Sequence, residues 1–512
     1  MGFVKNVFGD SAIFGVGAML TRGLSYALTP IHTYAFPSEN GDYAVVTQMY
    51  GLTAIVSVLL TFGMETTYFN YWKKYESEER KRELYSSILV SVGLVCLLFT
   101  VAAIVFIGPI AAFMKNPDHP YYVLSVLICI AFDAFHSIPS SYLRQYNLKM
   151  KYIGINLEKA GLILLLNLVY FLFLPMLGLY PFGLYGPQGE FNVKYIFYIN
   201  AFASIVTTFF YWKEISVASF KINVKMMHSI LRFGLTLVLS QLAGQLILNS
   251  EKVLYPYWDT SAHAEQNLAV YGGAAKLAVF LTLFNSLFNL AFNKQALNNT
   301  DNRSNKSDMA QMMKWYVIVM LLAFLGVNAL MNVVRLFIAP DYWSALFVVP
   351  VIMGAIILFG IYQNLIMGYK QLEKNRMILF FIATACALFL FLNWIFVPLY
   401  GYAACAWAQL ASFGLAVILS YTLSFKVTRI NYPVSEILRY IALALLLFLG
   451  MKVVNEQFDA WYAMFPNMLL LFVYIAYLNK KEPQDVVKMK QLAHKGIHKV
   501  QSYYSSLIKP FK

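Results

Sequence analysis

Few side chains in this chain can do chemistry, and most of those stand inside apolar runs. Arg22 interrupts the stretch SAIFGVGAMLTRGLSYALTPIHTYAF, residues 11–36. Lys276 stands in YGGAAKLAVF, and Glu65 in FGMETTYFNYW. Asp133 and His136 lie three residues apart in ICIAFDAFHSI, a spacing that puts both on one face of a helix. Glu251 and Lys252 follow one another late in a long segment, which places them as a charged cap at its outer end. A cation deep in an apolar segment costs about 3 kcal/mol or more unless it meets a partner or water. Arg22 therefore reads either as a cavity cation that attracts an anion or as half of an ion pair joining two helices. Lys276 carries the same two readings, and together the two would give a shared cavity its positive groups. Asp133 and His136 read as a polar contact between helices or as a proton relay. Glu65 reads as the partner of a loop Lys or Arg or as a gate residue. With Glu251, these three are the candidates for coupling or gating.

The chemistry that is missing narrows the field. There is no G-x-x-x-x-G-K-[ST] loop, no HExxH and no G-x-S-x-G. Cys96, Cys129, Cys386 and Cys405 all lie in apolar runs without CxxC spacing and read as small buried hydrophobes. Nothing in the sequence calls for a cofactor or forms a metal-ligand set. The expectation is a transporter rather than an enzyme.

The elements that must position these groups are membrane spans. Of the 512 residues, 60% are hydrophobic and only 12% are charged, where a soluble domain has about 25% charged residues. Hydropathy gives fourteen segments, approximately 11–36, 42–70, 84–113, 121–143, 155–178, 194–212, 227–255, 266–297, 312–338, 343–367, 377–398, 401–424, 434–454 and 459–478. The first is too long for a signal-peptide core and reads as a retained span. The connections alternate in charge. Pro37–Gly41, Lys115–Pro120, Leu179–Val193, Pro256–Glu265 and Ala339–Tyr342 are short and poor in Lys and Arg. The intervening loops and the tail after Asn479 carry about 28 basic residues, against about four on the other side. Both termini are therefore expected in the cytoplasm. This asymmetry absorbs most of the net charge of +14, so the basic balance reflects topology and anionic-lipid contact rather than nucleic-acid binding.

The first and seventh segments are both long, follow an early glycine and carry small and polar residues down the middle. The natural parse is an all-α membrane protein with two six-helix lobes, 1–212 and 213–424, around a central cavity. Two more transmembrane helices follow over 425–478, then a basic cytoplasmic tail over 479–512. The tail reads as a surface helix on the inner leaflet or as a free extension.

Three stretches, in order, resemble one family. They are GMETTYFNYW, then FGLTLVLSQLAGQLILNSEKVLYPYW with AVYGGAAKLAVFL, then FLNWIFVPLYGYAACAWAQLASF with Asn393, Pro398, Gly401 and the small run Ala403–Ala406. They look like the polysaccharide and oligosaccharide-lipid flippases of the multidrug/oligosaccharidyl-lipid/polysaccharide exporter superfamily. The resemblance implies alternating-access export of undecaprenyl-pyrophosphate-linked oligosaccharide across the bacterial cytoplasmic membrane. It implies that cavity cations on the first and eighth helices meet the pyrophosphate, and only Arg22 and Lys276 match those positions. It also implies membrane lipids and a glycan polymerase or chain-length machinery as partners. Two alternatives remain: a cation-coupled multidrug exporter of the same superfamily, which would want an acidic cavity, and a membrane glycan polymerase or ligase, which would want larger outward loops.

Overall fold

The computed structural model describes residues 23–483 apart from 25, 182–183, 187–188, 220–221, 287, 289–301 and 460. Among the described residues the elements are helices throughout, as expected of a chain whose backbone polar groups must be satisfied inside hydrocarbon. The fold is that of an all-α, multi-pass membrane protein.

The helices used below are α1 (Leu28–Ala35), α2 (Asp42–Thr61), α3 (Met64–Trp72), α4 (Glu78–Val105), α5 (Pro120–Gln145), α6 (Lys149–Leu168), α7 (Lys194–Phe210), α8 (Val224–Trp258), α9 (Ala264–Ala278), α10 (Asn302–Ala329), α11 (Val349–Gln371), α12 (Asn375–Tyr400), α13 (Tyr402–Val427), α14 (Val434–Gln457) and α15 (Met464–Lys481). Among the described residues nine helices are long and apolar enough to cross a membrane. Two further pairs reach that length across 43° bends, one within α8 and one where α9 passes into Phe280–Ser286. α7, with 17 residues, and α15, with 18, cover the remaining two expected segments that lie within the described residues. Of the first segment only its second half, containing α1, is described.

The hydrophobic surface is on the outside as well as the inside. α4 leaves Leu97, Leu98, Val101, Ile104 and Val105 exposed along one face, the pattern of a helix lying against lipid. α2 and α3 make one bent span. The break is two successive left-handed residues, Phe62 at φ 45° and Gly63 at φ 62°. Gly63 also lets the chain pass Val238 of α8, whose methyl would lie 3.2 Å from a Cβ placed there.

Packing divides the chain in two. In the N-terminal half α5 is central, touching α2, α4, α6 and α7. In the C-terminal half α13 packs on α8, α11 and α12, while α9 and α10 lie against α11. α14 and α15 pack on α10 and on each other, so they belong to the second half's periphery. The halves meet where α2 runs along α8 and α9.

Candidate functional site

Close approach of the two halves depends on missing side chains. A Cβ on Gly51 of α2 would lie 2.9 Å from Lys252 Cβ and 3.1 Å from the Asn249 carbonyl oxygen of α8. A Cβ on Gly272 of α9 would fall on the Thr47 side chain of α2, and, within the C-terminal half, one on Gly273 would fall on the Tyr342 ring. Small residues at such crossings are how membrane helices gain dispersion contacts, because apolar side chains alone gain little over lipid. Beyond these glycines, at the end opposite the Lys- and Arg-rich loops, a seam of hydrogen bonds closes the halves. The Ser38 N–H donates to Asp341 Oδ2 at 2.5 Å, and the Tyr342 hydroxyl to the Phe36 carbonyl at 2.5 Å. Gln266 Nε2 donates to the Glu39 carbonyl at 3.2 Å, and the Ala339 N–H to Thr33 Oγ1 at 3.3 Å.

One helical turn inward from the Gly272–Gly273 pair stands Lys276. It is half-buried, and its Nζ sits 4.3 Å from the centroid of the Tyr50 ring. Among the described residues it forms no ion pair with a carboxylate. The Tyr50 face supplies a cation–π contact in its place. Tyr50 also lies near Asn200 of α7 and within electrostatic reach of Cys129. From Cys129 a polar chain continues: its Sγ is 3.3 Å from Ser204 Oγ, Ser204 Oγ donates to Asp133 Oδ1 at 2.8 Å, and Asp133 Oδ1 pairs with Lys159 Nζ of α6. On the other flank His32 of α1 is 4% exposed, and its Nε2 lies 2.8 Å from Asn167 Oδ1 of α6. His32 also lies within electrostatic reach of Lys276. These polar groups of α1, α2, α5, α6 and α7 make up the surroundings of the α9 cation. The Lys159 and Asp133 side chains are 22% and 36% exposed. Charges at membrane depth with that exposure face a hydrated cavity rather than hydrocarbon.

The expected residues fall as follows. Arg22 lies outside the described residues. Asp133 and His136 do share a face, but they do not bond one another. Asp133 meets Ser204 and His136 Nε2 meets Thr208 Oγ1 at 2.9 Å, one turn apart on α7. Glu65 takes Arg144 of α5 as partner, Nη2 to Oε1 at 2.5 Å, with the guanidinium also stacked 4.9 Å from the Phe69 centroid. Glu251 requires a correction: it does not cap its helix at the outer surface. α8 continues to Trp258, and Glu251 is 1% exposed inside it. The Tyr271 hydroxyl donates to its Oε1 at 3.5 Å, while Oε2 is buried without a hydrogen-bond partner.

Lys159, His32 and Tyr50 are the lining groups that sequence reading missed. Lys159 stands two to three turns into α6, ten residues after Lys149, and the charge count of that segment alone could have flagged it. If Asp133 and Lys159 stabilise the lobe as a pair, removing either alone is worse than half of removing both. We expect Asp133→Asn and Lys159→Gln, combined, to cost about 1 kcal/mol less than the sum of the single changes, the modest figure reflecting partial hydration. Thermal unfolding of the four proteins in one detergent checks it, and strictly additive losses would remove the pair from the account.

A family model described as "Polysaccharide biosynthesis protein" matches residues 8–292. Comparison by sequence with curated proteins finds no match. By fold the chain is similar to the lipid II flippase MurJ in an inward closed conformation, with a TM-score of 0.68 and 13% identity over 92% of this chain and 99% of that one. It is similar to a multidrug resistance MATE family transporter of the MOP superfamily in an inward-facing conformation, with a TM-score of 0.61 and 11% identity over 80% of this chain and 96% of that one. A MOP superfamily transporter from Pyrococcus furiosus, described as having a binding pocket of reverse polarity, gives a TM-score of 0.57 and 13% identity over 83% of this chain and 99% of that one. At these identities the likeness is one of fold.

Proposed function

This chain belongs to the polysaccharide biosynthesis protein family, and on that premise we propose that it is a flippase for undecaprenyl-pyrophosphate-linked oligosaccharide. It moves the lipid-linked unit from the inner to the outer leaflet of a bacterial cytoplasmic membrane, for O-antigen, capsule or exopolysaccharide assembly. The Lys- and Arg-rich end is then cytoplasmic, as are both termini, and the closed seam faces outward. The lobes 1–212 and 213–424 alternate around the cavity. A glycan polymerase consumes the product outside.

The observation that carries this reading is Lys276, a cation at membrane depth resting on an aromatic ring beside a hydrated polar wall. A pyrophosphate cannot cross hydrocarbon bare, and a positive, wet lumen replaces its hydration. Arg22 is assigned the second cavity cation. Asp133, His136, Glu65 and Glu251 are assigned to coupling or gating, with Asp133 the one that shares a wall with Lys276. The same cations count against the drug-exporter alternative, whose cargo would need an acidic lumen.

Export of two negative charges from a negative interior is favoured by about 4–5 kcal/mol per 100 mV. Purified protein in vesicles with a fluorescent pyrophosphate-linked oligosaccharide tests both the activity and its drive. Leaflet exchange should appear only with protein present and should quicken under a potassium-diffusion potential of the right sign. Exchange no faster than in empty vesicles would overturn the flippase reading, and protein-dependent exchange indifferent to the potential would remove the drive alone.

A further inference from the structure

Away from the seam, at the basic end of the C-terminal half, a cavity of about 680 Å³ opens between α10, α13 and α14. Its walls include Lys306 and Gln311 at the start of α10, Arg429 and Asn431 just past α13, and Glu436 in the first turn of α14. Lys314 closes the back. Its ammonium is already committed, with Nζ 3.2 Å from Glu436 Oε2 and 2.7 Å from Glu482 Oε1. Those two carboxylates exceed the charge of Lys314 by one and tie α14 and the end of α15 to α10. Among the described residues, no carboxylate pairs with Lys306 or Arg429. Among the described residues the cavity thus keeps two cations without a carboxylate partner, Lys306 and Arg429, against one surplus carboxylate charge, and its lining also includes Gln311, Asn431 and Ser307.

Arg429 stands in a backbone conformation that suits a different residue. Its φ is 53°, and its N–H closes α13 by donating to the Ser424 carbonyl at 3.0 Å. Glycine is the ordinary occupant of a left-handed position after a helix. The turn uses only the backbone of Arg429, which leaves its side chain to line the cavity.

We propose that this cavity is a binding site for a phosphate group held between Lys306 and Arg429. Its place at the helix ends on the Lys- and Arg-rich side puts it level with phospholipid headgroups, so the phosphodiester of an anionic lipid is the source that the location favours. A free phosphate is the other source of the same chemistry. The volume falls in the range of small-molecule sites, about 300–1,000 Å³. The apolar part of the lining, Phe425 and Pro433, offers a surface for the glycerol portion. The site is independent of the transport cavity, and an occupant would bridge α10, α13 and α14.

The test uses the full chain in a neutral detergent, titrated with dihexanoyl phosphatidylglycerol, dihexanoyl phosphatidylcholine or inorganic phosphate while the unfolding midpoint is read. Phosphatidylglycerol should raise the midpoint at much lower concentration than phosphatidylcholine. Lys306→Gln with Arg429→Gln should weaken that response about thirtyfold, from two lost cations. Arg429→Gly is the control for folding, because its ligand-free midpoint should be unchanged or higher while its lipid response falls. Gln311→Trp should block the cavity without changing charge. A response to phosphate as strong as to phosphatidylglycerol, lost in the same variants, assigns the site to a soluble phosphate. Equal responses to both lipids, or variants that respond as the unaltered chain does, would overturn the proposal.

Discussion

We expect Lys276→Ala to slow transport of the proposed lipid-linked oligosaccharide cargo by roughly 10- to 100-fold while the amount of folded protein in the membrane stays near normal. The first half of that outcome follows from the charge. A hydrogen bond to a charged group contributes about 1.5–3 kcal/mol, and each 1.4 kcal/mol is a factor of ten in rate. The second half follows from what Lys276 touches. It rests on the Tyr50 ring and has no carboxylate partner among the described residues, so its removal strands no buried negative charge. Lys276→Arg keeps the charge and the ring contact and should retain most of the transport. The measurement is the pool of lipid-linked oligosaccharide trapped on the inner leaflet, in cells lacking their own flippase for that glycan, with protein abundance followed in parallel. An abundant alanine variant with normal export would make Lys276 a packing residue. Lys159→Ala is the informative contrast, because it strands Asp133 and should lower abundance as well as transport.

Gly272→Ala opens the seam. Its new Cβ would coincide with the Thr47 side chain, and helix backbones do not yield as the tip of a long side chain does. α2 and α9 must separate, which also strips contacts from Gly51 against α8. Overpacking of this kind costs about 1–3 kcal/mol. Here the cost falls on one conformation, the one with the seam closed. Thr47→Gly removes the clashing side-chain atoms and should restore closure, at about 0.3 kcal/mol of helix propensity. The reporter is disulfide formation between cysteines placed at Ser38 and Asp341, whose backbone and side chain are joined at 2.5 Å, in a background without the native cysteines. We expect the crosslink yield to fall severalfold in Gly272→Ala and to return in the double variant. Unchanged yield in the single variant would show that the halves absorb the methyl without parting.

Nine to eleven of the fourteen expected spans are found as membrane-length apolar helices among the described residues, because twenty apolar residues in water have few other uses, so length and composition decide them. The pairing of Asp133 and His136 with one neighbouring helix was legible for a similar reason, since three residues on a helix set a face. The partners were not. Lys159 sits ten residues after Lys149 in a helix that begins on the basic side, and its depth depends on where the helix starts rather than on local composition. Glu251 looked terminal because Pro256 follows it, yet a proline in the last turn of α8 removes only one backbone bond and the helix runs on to Trp258. The roles of Gly51 and Gly272 were invisible for a different reason. A glycine's value at a crossing lies in the atom it lacks and in which helix passes there, and neither is written in its own segment.

Of the four bonds of the seam, Gln266 to Glu39 and Ser38 to Asp341 lie at exposed or partly exposed groups and Tyr342 to Phe36 and Ala339 to Thr33 are buried, and water can replace each partner once the halves part. Such bonds contribute about 1 kcal/mol each in net terms. A closure resting on a few of them leaves the open arrangement populated at the per cent to per mille level without any ligand. A cargo that binds one arrangement a few thousandfold better can then invert the balance. The cycle would need no single costly rupture, and its speed would be set by how fast the two bodies rock rather than by the strength of the catch between them.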